Sequence, residues 1–342
     1  MKRYAILTAF LALGGALFAQ GGTSTGLAVP MATVKLIKTE IISDKSFRED
    51  VAKYEKLRGS AMTADERRAL LDELINDLLF YQMCERDGIK VSDGEVEAYL
   101  VKLRAQMGPA VTQQQFEAYM ESQGIPMSEL KSYYKKQMLI QRWLTEKKAA
   151  EVAAIPAVTT EEVIALYELN KSKLVRPDTV RIVFVFAPFK DTTEAERAKA
   201  AELIRSLSER LARGESFDAL RLRASEGGYM ASADAVYIER SETYLKQFTK
   251  PFFDMVFSMR DATVSIPFET EAGWWIVRRV EFFPQKQLEL SDPYRLGQPG
   301  SVQEQITSLL TQQKQNEFLT RIFADLFVEL RAKAEIKIIG TP

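Results

Sequence analysis

Histidine is absent from the 342-residue sequence, and cysteine occurs once, at Cys84. This composition excludes a Ser-His or Cys-His nucleophilic pair, a zinc site built from Cys and His, and an internal disulfide bond. Cys84 ends an apolar helical run, Leu79 to Met83, which favours a buried thiol over a reactive one. The sequence has no phosphate-binding glycine loop, nucleotide fingerprint or metal-ligand cluster, so we expect no cofactor and no metal.

Large aromatic and methionine side chains are the remaining candidates for binding chemistry. Rigid rings and flexible thioethers suit contact with extended, apolar peptide segments. We predict two peptide-binding sets: Phe248, Phe252, Phe257 and Trp275 in the middle of the chain, and Tyr119, Met120, Tyr134 and Met138 nearer its start. The alternative is that these side chains belong to the core, since aromatic residues dominate cores as well as interfaces. On a strand, Trp274 and Trp275 would point to opposite faces.

Composition sets the class of protein. Apolar residues make up 46% of the chain and charged residues 27%, as in soluble globular domains. The length allows two or three modest domains. The formal net charge of -1 gives no basic excess for nucleic acid, so we expect no nucleic-acid partner.

The first nineteen residues are typical of a targeting segment. Lys2 and Arg3 precede an apolar run from Tyr4 to Phe18, and Ala19 follows. This pattern predicts a secretory signal peptide over residues 1–19 and a periplasmic location, because the run is short for a membrane span. The alternative is an uncleaved signal that anchors the protein in the membrane.

Helix-start signatures organise the first half of the chain. Four hydroxyl residues are each followed three positions later by Glu or Gln: Thr63, Ser92, Thr112 and Thr159. Before them, the β-branched stretch from Thr33 to Ile42 predicts one or two short strands. An apolar stripe at helical spacing is predicted over Leu70, Leu71, Leu74, Ile75, Leu78 and Leu79. The first block is therefore mostly helical.

The middle block follows an α+β pattern. Strands are predicted over 180–186, 263–267 and 274–280, helices over 193–213 and 217–224, and a short aromatic helix over 251–259. A long amphipathic helix from Ser301 and a strand from Glu335 to Ile339 end the chain. An isolated strand is unstable, so we predict that this strand pairs with the stretch from Thr33 to Ile42. The middle block would then be inserted into a domain made by both chain ends.

The first block resembles the SurA N-terminal chaperone domain. The resemblance rests on Leu70 to Leu79, on Gly88-Ile89-Lys90-Val91-Ser92 and on Gln123-Gly124-Ile125. The middle block resembles a parvulin domain, through Gly214-Glu215-Ser216-Phe217, Phe252 to Met259 and Gly273-Trp274-Trp275. The chain is therefore similar to the SurA/PpiC/PrsA group of extracytoplasmic chaperones and foldases. This resemblance implies a helical domain over residues 20–175, a parvulin-like domain over 176–284, and a C-terminal segment over 285–342 that packs on the first.

Three positions depart from the parvulin pattern. Phe184 and Trp275 stand where the resemblance places histidines, and Gly227 stands where it places an Asp or Cys. In parvulins the histidines belong to a polar network beneath the prolyl pocket. Phe184 can neither donate nor accept a hydrogen bond through its side chain, and Trp275 can only donate. Because all three positions change together, the sequence predicts a retained fold with weak or absent isomerase activity.

The leading hypothesis is a periplasmic chaperone for unfolded or extended segments of exported proteins, including outer membrane proteins. Its partners would be client polypeptides. One alternative is an active peptidyl-prolyl isomerase, and another is an envelope assembly scaffold with a dedicated partner. The sequence leaves open a homodimer and peripheral association with the envelope.

Overall fold

The computed structural model describes residues 29–191 and 193–342. The predicted signal peptide lies outside these residues. The described residues divide into two compact units, of which unit 1 comprises those up to 157 and 312–342, and unit 2 comprises those between 158 and 311. Within the described ranges, no helix is both long and apolar enough to cross a membrane. The same ranges hold no group of three or more Cys, Asp and Glu side chains that is placed to bind a metal ion.

Unit 1 is mostly helical. Its elements are β1 (Pro30–Lys35), β2 (Thr39–Ser43), α1 (Asp44–Arg58), α2 (Ala64–Arg86), α3 (Asp93–Met107), α4 (Gln113–Ser122), α5 (Met127–Lys147), α6 (Ala149–Ala153), the later part of α12 (Val302–Lys333) and β10 (Glu335–Ile338). The helix starts follow the predicted signatures, because Thr63, Ser92 and Thr112 each form a capping box with the residue three positions on.

The two ends of the chain meet in one antiparallel sheet of unit 1, in the order β10-β1-β2. Val34 of β1 pairs with Ile336 of β10 on one side and with Glu40 of β2 on the other. The predicted pairing of the terminal strand with the early strand is confirmed. The inserted arrangement follows from this pairing, so the multidomain α+β fold class is confirmed as well.

The core of unit 1 forms around α2. Of the predicted stripe, Leu70, Leu71, Leu74, Ile75 and Leu79 are buried and Leu78 is partly buried. Phe318, Ile322 and Leu330 of α12 are buried in the same core. Cys84 is 2% exposed, and burial, helped by Asp87, raises the pKa of its thiol to about 12. The structure thus confirms Cys84 as an unreactive core thiol.

The turn between β1 and β2 is held by one buried side chain of α2. The Gln82 side chain is fully buried, and its Oε1 accepts hydrogen bonds from the backbone N–H groups of Leu36, Ile37 and Lys38 at 2.8, 3.0 and 3.3 Å. Its Nε2 donates to Glu40 Oε2 at 3.0 Å and to the Val34 carbonyl at 3.4 Å. Gln82 therefore fixes the hairpin on α2.

Unit 2 is an α+β unit around an antiparallel sheet in the order β5-β4-β8-β7, with β6 paired to β4. Its elements are α7 (Thr160–Asn170), β3 (Val175–Arg176), β4 (Thr179–Pro188), α8 (Glu194–Ala212), α9 (Phe217–Leu222), α10 (Ala224–Gly227), β5 (Met230–Ala231), β6 (Val236–Glu239), α11 (Glu242–Ser258), β7 (Phe268–Thr270), β8 (Gly273–Phe283), β9 (Lys286–Gln287) and the start of α12. Thr159 forms the fourth predicted capping box, at the start of α7.

Two predicted elements of unit 2 differ from the structure. The short helix predicted over 251–259 is the second half of α11, which begins at Glu242. The strand predicted over 263–267 is wrong: only Val264 forms a bridge, with Arg278, and the strand β7 begins at Phe268. Pro267 has no N–H to donate, so a regular ladder does not continue through it.

Candidate functional site

The candidate site of unit 2 lies on one face of its sheet. Strand alternation divides β4, so that Ile182, Phe184 and Phe186 face α11 while Val183 and Val185 face the core beneath α8. Trp275 of β8 packs on the α11 side, and Trp274 packs on the other side. The prediction that these two rings point to opposite faces is confirmed.

Register brings four side chains into one row across the sheet. Met230 of β5 pairs with Phe186 of β4, Phe186 pairs with Trp275 of β8, and Trp275 pairs with Phe268 of β7. Cross-strand partners lie about 4.5–5.5 Å apart at Cβ, so the four form a continuous apolar strip. The Phe186 and Trp275 rings are stacked, with centroids 4.0 Å apart.

Helix α11 covers the centre of this strip with a ladder of rings. Phe248 stacks on Phe252 at 4.8 Å, and the Trp275 ring meets Phe252 at 5.1 Å and Phe248 at 6.4 Å in edge-on contacts. Phe252 is fully buried and Trp275 is 7% exposed, whereas Phe248 is only half-buried. We call the set of Phe184, Phe186, Phe248, Phe252, Phe268 and Trp275 the aromatic cluster.

Polar groups beside the aromatic cluster are occupied by local hydrogen bonds. The Trp275 indole donates to Thr270 Oγ1 at 2.9 Å, and that hydroxyl donates to the Gly273 carbonyl at 3.1 Å. The hydroxyl of Ser232 accepts from the Phe184 N–H at 3.1 Å. Trp275 thus keeps a satisfied buried donor in an otherwise apolar centre.

Gly227, the third position that differs from the parvulin pattern, is the last residue of α10. A Cβ built at Gly227 would lie 2.2 Å from the Tyr229 ring, so this position has no room for an Asp or Cys side chain as the chain is packed. Tyr229 belongs to the core beneath α8, whereas Phe184 and Trp275 pack beneath α11. The Tyr229 hydroxyl donates a hydrogen bond to the Leu220 carbonyl at 2.5 Å, and this bond holds the Tyr229 ring in place.

The structure sorts the residues predicted for unit 2. Phe248, Phe252, Phe184 and Trp275 come together. Phe257 packs against the same core, but its ring contacts are with Phe253, at 5.4 Å, and with the guanidinium of Arg240. Sequence reasoning missed Phe186 and Phe268. Alternation from Phe184 would have placed Phe186 on the same face, whereas Phe268 depends on the pairing of β7 with β8.

The residues predicted in unit 1 lie on α4 and α5. Tyr119 is 48% exposed, while Met120, Tyr134 and Met138 are half-buried and pack against the core. Tyr134 contacts two rings that were not predicted as peptide-binding residues, Tyr133 at 5.2 Å and the exposed Tyr99 of α3 at 4.7 Å. Burial raises the pKa of Tyr133 and of Tyr134, and neighbouring tyrosines add to this effect. Tyr133 and Tyr134 therefore keep their hydroxyl protons at neutral pH and can donate hydrogen bonds.

Comparisons with known proteins match both units. The SurA-like N-terminal domain matches residues 1–144, and the PPIC-type PPIase domain matches residues 158–292. Each unit is thus similar to one domain family, unit 1 to SurA-like N-terminal domains and unit 2 to PPIC-type PPIase domains. Chaperone SurA of Pseudomonas syringae pv. tomato is 24% identical over 78% of this chain and 61% of its own length. Chaperone SurA of Legionella pneumophila strain Paris is 21% identical over 82% of this chain and 62% of its own length.

The match to these SurA relatives thus spans less than two thirds of their length. Among solved structures, one reported for the SurA-like chaperones PEB4 and Cj1289 of Campylobacter jejuni is 15% identical, covers 90% of this chain and 99% of that chain, and has a TM-score of 0.41. PrsA from Bacillus subtilis is 18% identical, covers 86% of this chain and 89% of that chain, and has a TM-score of 0.25.

Helix α11 contains a strained residue next to the aromatic cluster. Thr249 has φ 67° and ψ 160°, a conformation that is essentially restricted to glycine, and its buried Oγ1 has no hydrogen-bond partner. This residue divides α11 into two halves, one ending near Phe248 and the other containing Phe252. Pro251 stands at the start of the second half, where its missing N–H costs no helical hydrogen bond.

We expect Thr249→Gly to raise the free energy of unfolding of unit 2 by about 1 kcal/mol, because glycine adopts this conformation without the steric cost. Urea unfolding checks the change. Thr243→Gly, in the helical first turn of the same helix, is the matched control and should lower stability by about 0.5–1 kcal/mol. A loss of stability in Thr249→Gly would contradict the strained geometry.

Proposed function

We propose that this SurA-like protein is a periplasmic chaperone that binds unfolded or extended segments of exported polypeptides, including outer membrane proteins, and that its PPIC-type domain has little or no isomerase activity. The observation that carries the second part is the aromatic cluster. At the positions where the resemblance places histidines, the rings of Phe184 and Trp275 lie 5.1 Å apart in edge-on contact.

Prolyl isomerisation requires an enzyme to hold the twisted amide better than the planar one, against a barrier of roughly 18–20 kcal/mol. In the described residues, the aromatic cluster offers no group that titrates near neutral pH, and the indole N–H of Trp275 is already bonded to Thr270. The rings can still hold apolar side chains of a client, since Phe184, Phe186, Phe248 and Phe268 are half-buried rather than enclosed.

The tyrosine surface of unit 1 supports the chaperone part of the proposal. We define this surface as Tyr99, Tyr133 and Tyr134, whose rings are linked by contacts of Tyr134, together with the exposed Tyr119 of α4. Tyrosine presents a large amphipathic ring at a low cost in conformational entropy, which suits many different peptide sequences. The curated relatives named Chaperone SurA support the same proposal. The proposal also includes the predicted domain boundaries, the signal peptide and a homodimer. It further includes a role for Met120 and Met138 in client contact.

Two assays on one preparation test this function. In a prolyl-peptide assay we expect relaxation to stay on the uncatalysed timescale of roughly 10–100 s at 25 °C. In an aggregation assay with several unrelated unfolded proteins, we expect the unsubstituted chain to suppress aggregation, and Tyr99→Ser/Tyr119→Ser to suppress it less. Both tyrosines are exposed, so their replacement should change stability by no more than about 0.5 kcal/mol.

The control is Tyr294→Ser, which replaces a tyrosine of similar exposure, 38%, in unit 2 and should leave suppression unchanged. Rapid prolyl turnover would favour an active isomerase instead. A single stoichiometric partner without any suppression of aggregation would favour an assembly scaffold.

A further inference from the structure

Two aspartates are buried on neighbouring helices of unit 1. Asp50 of α1 is 4% exposed and Asp77 of α2 is 5% exposed. Oδ1 of Asp50 and Oδ2 of Asp77 each lack a hydrogen-bond partner. A buried carboxylate with an unsatisfied oxygen is costly in its charged form, so aspartates in such places are usually fully paired. The chaperone function proposed above does not require either of them.

Asp50 faces one lysine and two other carboxylates. Lys53 Nζ lies 3.9 Å from Asp50 Oδ1, but it lies closer to Glu129 of α5, whose Oε1 is 2.5 Å away. Glu49 of α1 adds a second negative charge. Lys53 therefore neutralises Glu129 better than it neutralises Asp50.

Asp77 faces a similar mixture. Lys136 of α5 lies 2.6 Å from Asp77 Oδ1, and Glu73 of α2 is the nearby carboxylate that acts on it. The hydroxyls of Tyr54 and Tyr81 are also close enough to interact with Asp77, and Tyr54 interacts with Asp50 as well. Across both sites, α1, α2 and α5 bring together more carboxylates than lysines.

The surroundings raise the pKa values of both Asp50 and Asp77. Burial raises the pKa of Asp50 to about 6 against the lowering effect of Lys53, and Glu129 and Glu49 add to the rise. Burial likewise raises the pKa of Asp77 to about 6 against the lowering effect of Lys136, with Glu73 adding to it.

We propose that α1, α2 and α5 form a pH-responsive joint, whose packing tightens when Asp50 and Asp77 are protonated and loosens when both are ionised. Protonation removes two buried negative charges, while Lys53 keeps its 2.5 Å pair with Glu129. Because α5 also carries Tyr134, loosening of the joint would change the tyrosine surface. That last step depends on the proposed chaperone function, whereas the joint itself does not.

The direction of the pH effect follows from proton linkage. In the unfolded chain an aspartate titrates near 3.9, and in the folded chain these two titrate near 6, so the folded state binds more protons between these values. The added stability is fully present below the unfolded value and is lost as the pH rises through about 6. Backbone hydrogen bonds chiefly lower the pKa values of Glu66 and Glu95 to about 2, so these groups change the pH dependence of stability mainly at lower pH than Asp50 and Asp77 do.

The test uses the full chain and a probe confined to unit 1. The sequence has three tryptophans, and Trp143 is the one in unit 1, so a Trp274→Phe/Trp275→Phe background makes fluorescence report on that unit. We expect urea unfolding of this unit to need more urea at about pH 5 than at about pH 7.5. Each of the two aspartates should change the unfolding equilibrium constant by about tenfold between these two pH values.

Asp50→Asn is expected to raise the urea midpoint at about pH 7.5 and to reduce its pH dependence, and Asp50→Asn/Asp77→Asn to remove most of the dependence. Asp65→Asn, at an exposed position in the first turn of α2, is the control and should leave the dependence unchanged. Because Asp77→Asn also weakens the pair with Lys136, Asp50→Asn alone decides the matter if the double variant does not fold.

The proposed joint would be overturned by equal urea midpoints at the two pH values. It would also be overturned if Asp50→Asn left the pH dependence of the midpoint unchanged. Hydrogen exchange of α1 and α5 in the unsubstituted protein, corrected for intrinsic rates, gives a second readout and should show less protection at the higher pH. Neither measurement involves a client, so the joint can fail while the chaperone proposal stands, and the reverse.

Discussion

Replacement of Trp275 by alanine is expected to lower the free energy of unfolding of unit 2 by about 3–5 kcal/mol, the usual cost of removing a large buried aromatic side chain. Trp275 is 7% exposed and contacts rings on β4 and on α11 at once, with Phe186 at 4.0 Å and both Phe184 and Phe252 at 5.1 Å. Its loss leaves a cavity between the sheet and the helix, and surrounding rings can fill that cavity only in part.

Urea unfolding, followed by a probe in unit 2, measures this loss. Trp274→Ala is a matched control, because Trp274 is the adjacent residue on the same strand but is only half-buried, on the opposite face. We expect a clearly smaller loss there. Trp275→Phe should fall between the two, since it keeps a ring but gives up the 2.9 Å hydrogen bond to Thr270, worth about 1 kcal/mol. Equal losses in the two alanine variants would contradict the central position of Trp275.

The same substitution separates the two binding surfaces that we propose. If the aromatic cluster holds client segments, Trp275→Ala will weaken aggregation suppression beyond the loss in Tyr99→Ser/Tyr119→Ser, which leaves unit 2 intact. If the tyrosine surface acts alone, Trp275→Ala will suppress aggregation as well as the unsubstituted chain at temperatures where unit 2 remains folded. The comparison requires matched fractions of folded protein, because a destabilised unit exposes apolar surface of its own.

Local rules made much of this fold predictable. Each hydroxyl at a helix start, such as Thr63, needs only its own backbone and the residue three positions on, so four capping boxes could be predicted from spacing alone. The pairing of β1 with β10 was predictable for a different reason, since a lone terminal strand must find a partner. Apolar periodicity likewise predicted the buried stripe on α2.

The features that sequence reasoning missed depend on contacts between distant segments. Asp50 and Asp77 look like the other carboxylates along α1 and α2, and they become buried only in the packed unit, where Lys136 of α5 contacts Asp77. Thr249 carries no local signal for a glycine-like conformation, because strain of this kind is imposed by the surrounding structure. Phe268 joins the aromatic cluster through the pairing of β7 with β8, and β7 begins one residue after the end of the strand predicted over 263–267.

Gln82 is a further residue of this kind, since a glutamine within an apolar helical run gives no sign of its partners. We expect Gln82→Leu to lower the free energy of unfolding of unit 1 by about 2–4 kcal/mol. Leucine fills a similar volume but leaves the N–H groups of Leu36, Ile37 and Lys38 without their shared acceptor, and each unsatisfied buried donor costs about 1–3 kcal/mol. The exposed side of the turn lets water reach part of this backbone, which keeps the total below three full penalties.

Thermal or urea unfolding of unit 1, followed by Trp143 fluorescence, measures the loss. Gln114→Leu, at an exposed position of α4, is the control for adding leucine to a helix and should change stability by less than about 0.5 kcal/mol. Gln82→Glu keeps the acceptor oxygen but replaces the amide that donates to Glu40 with a second carboxylate. We expect its loss to shrink as the pH falls, because protonation of either acid restores a donor between them. A Gln82→Leu protein as stable as the unsubstituted chain would show that the hairpin does not need α2 to hold its turn.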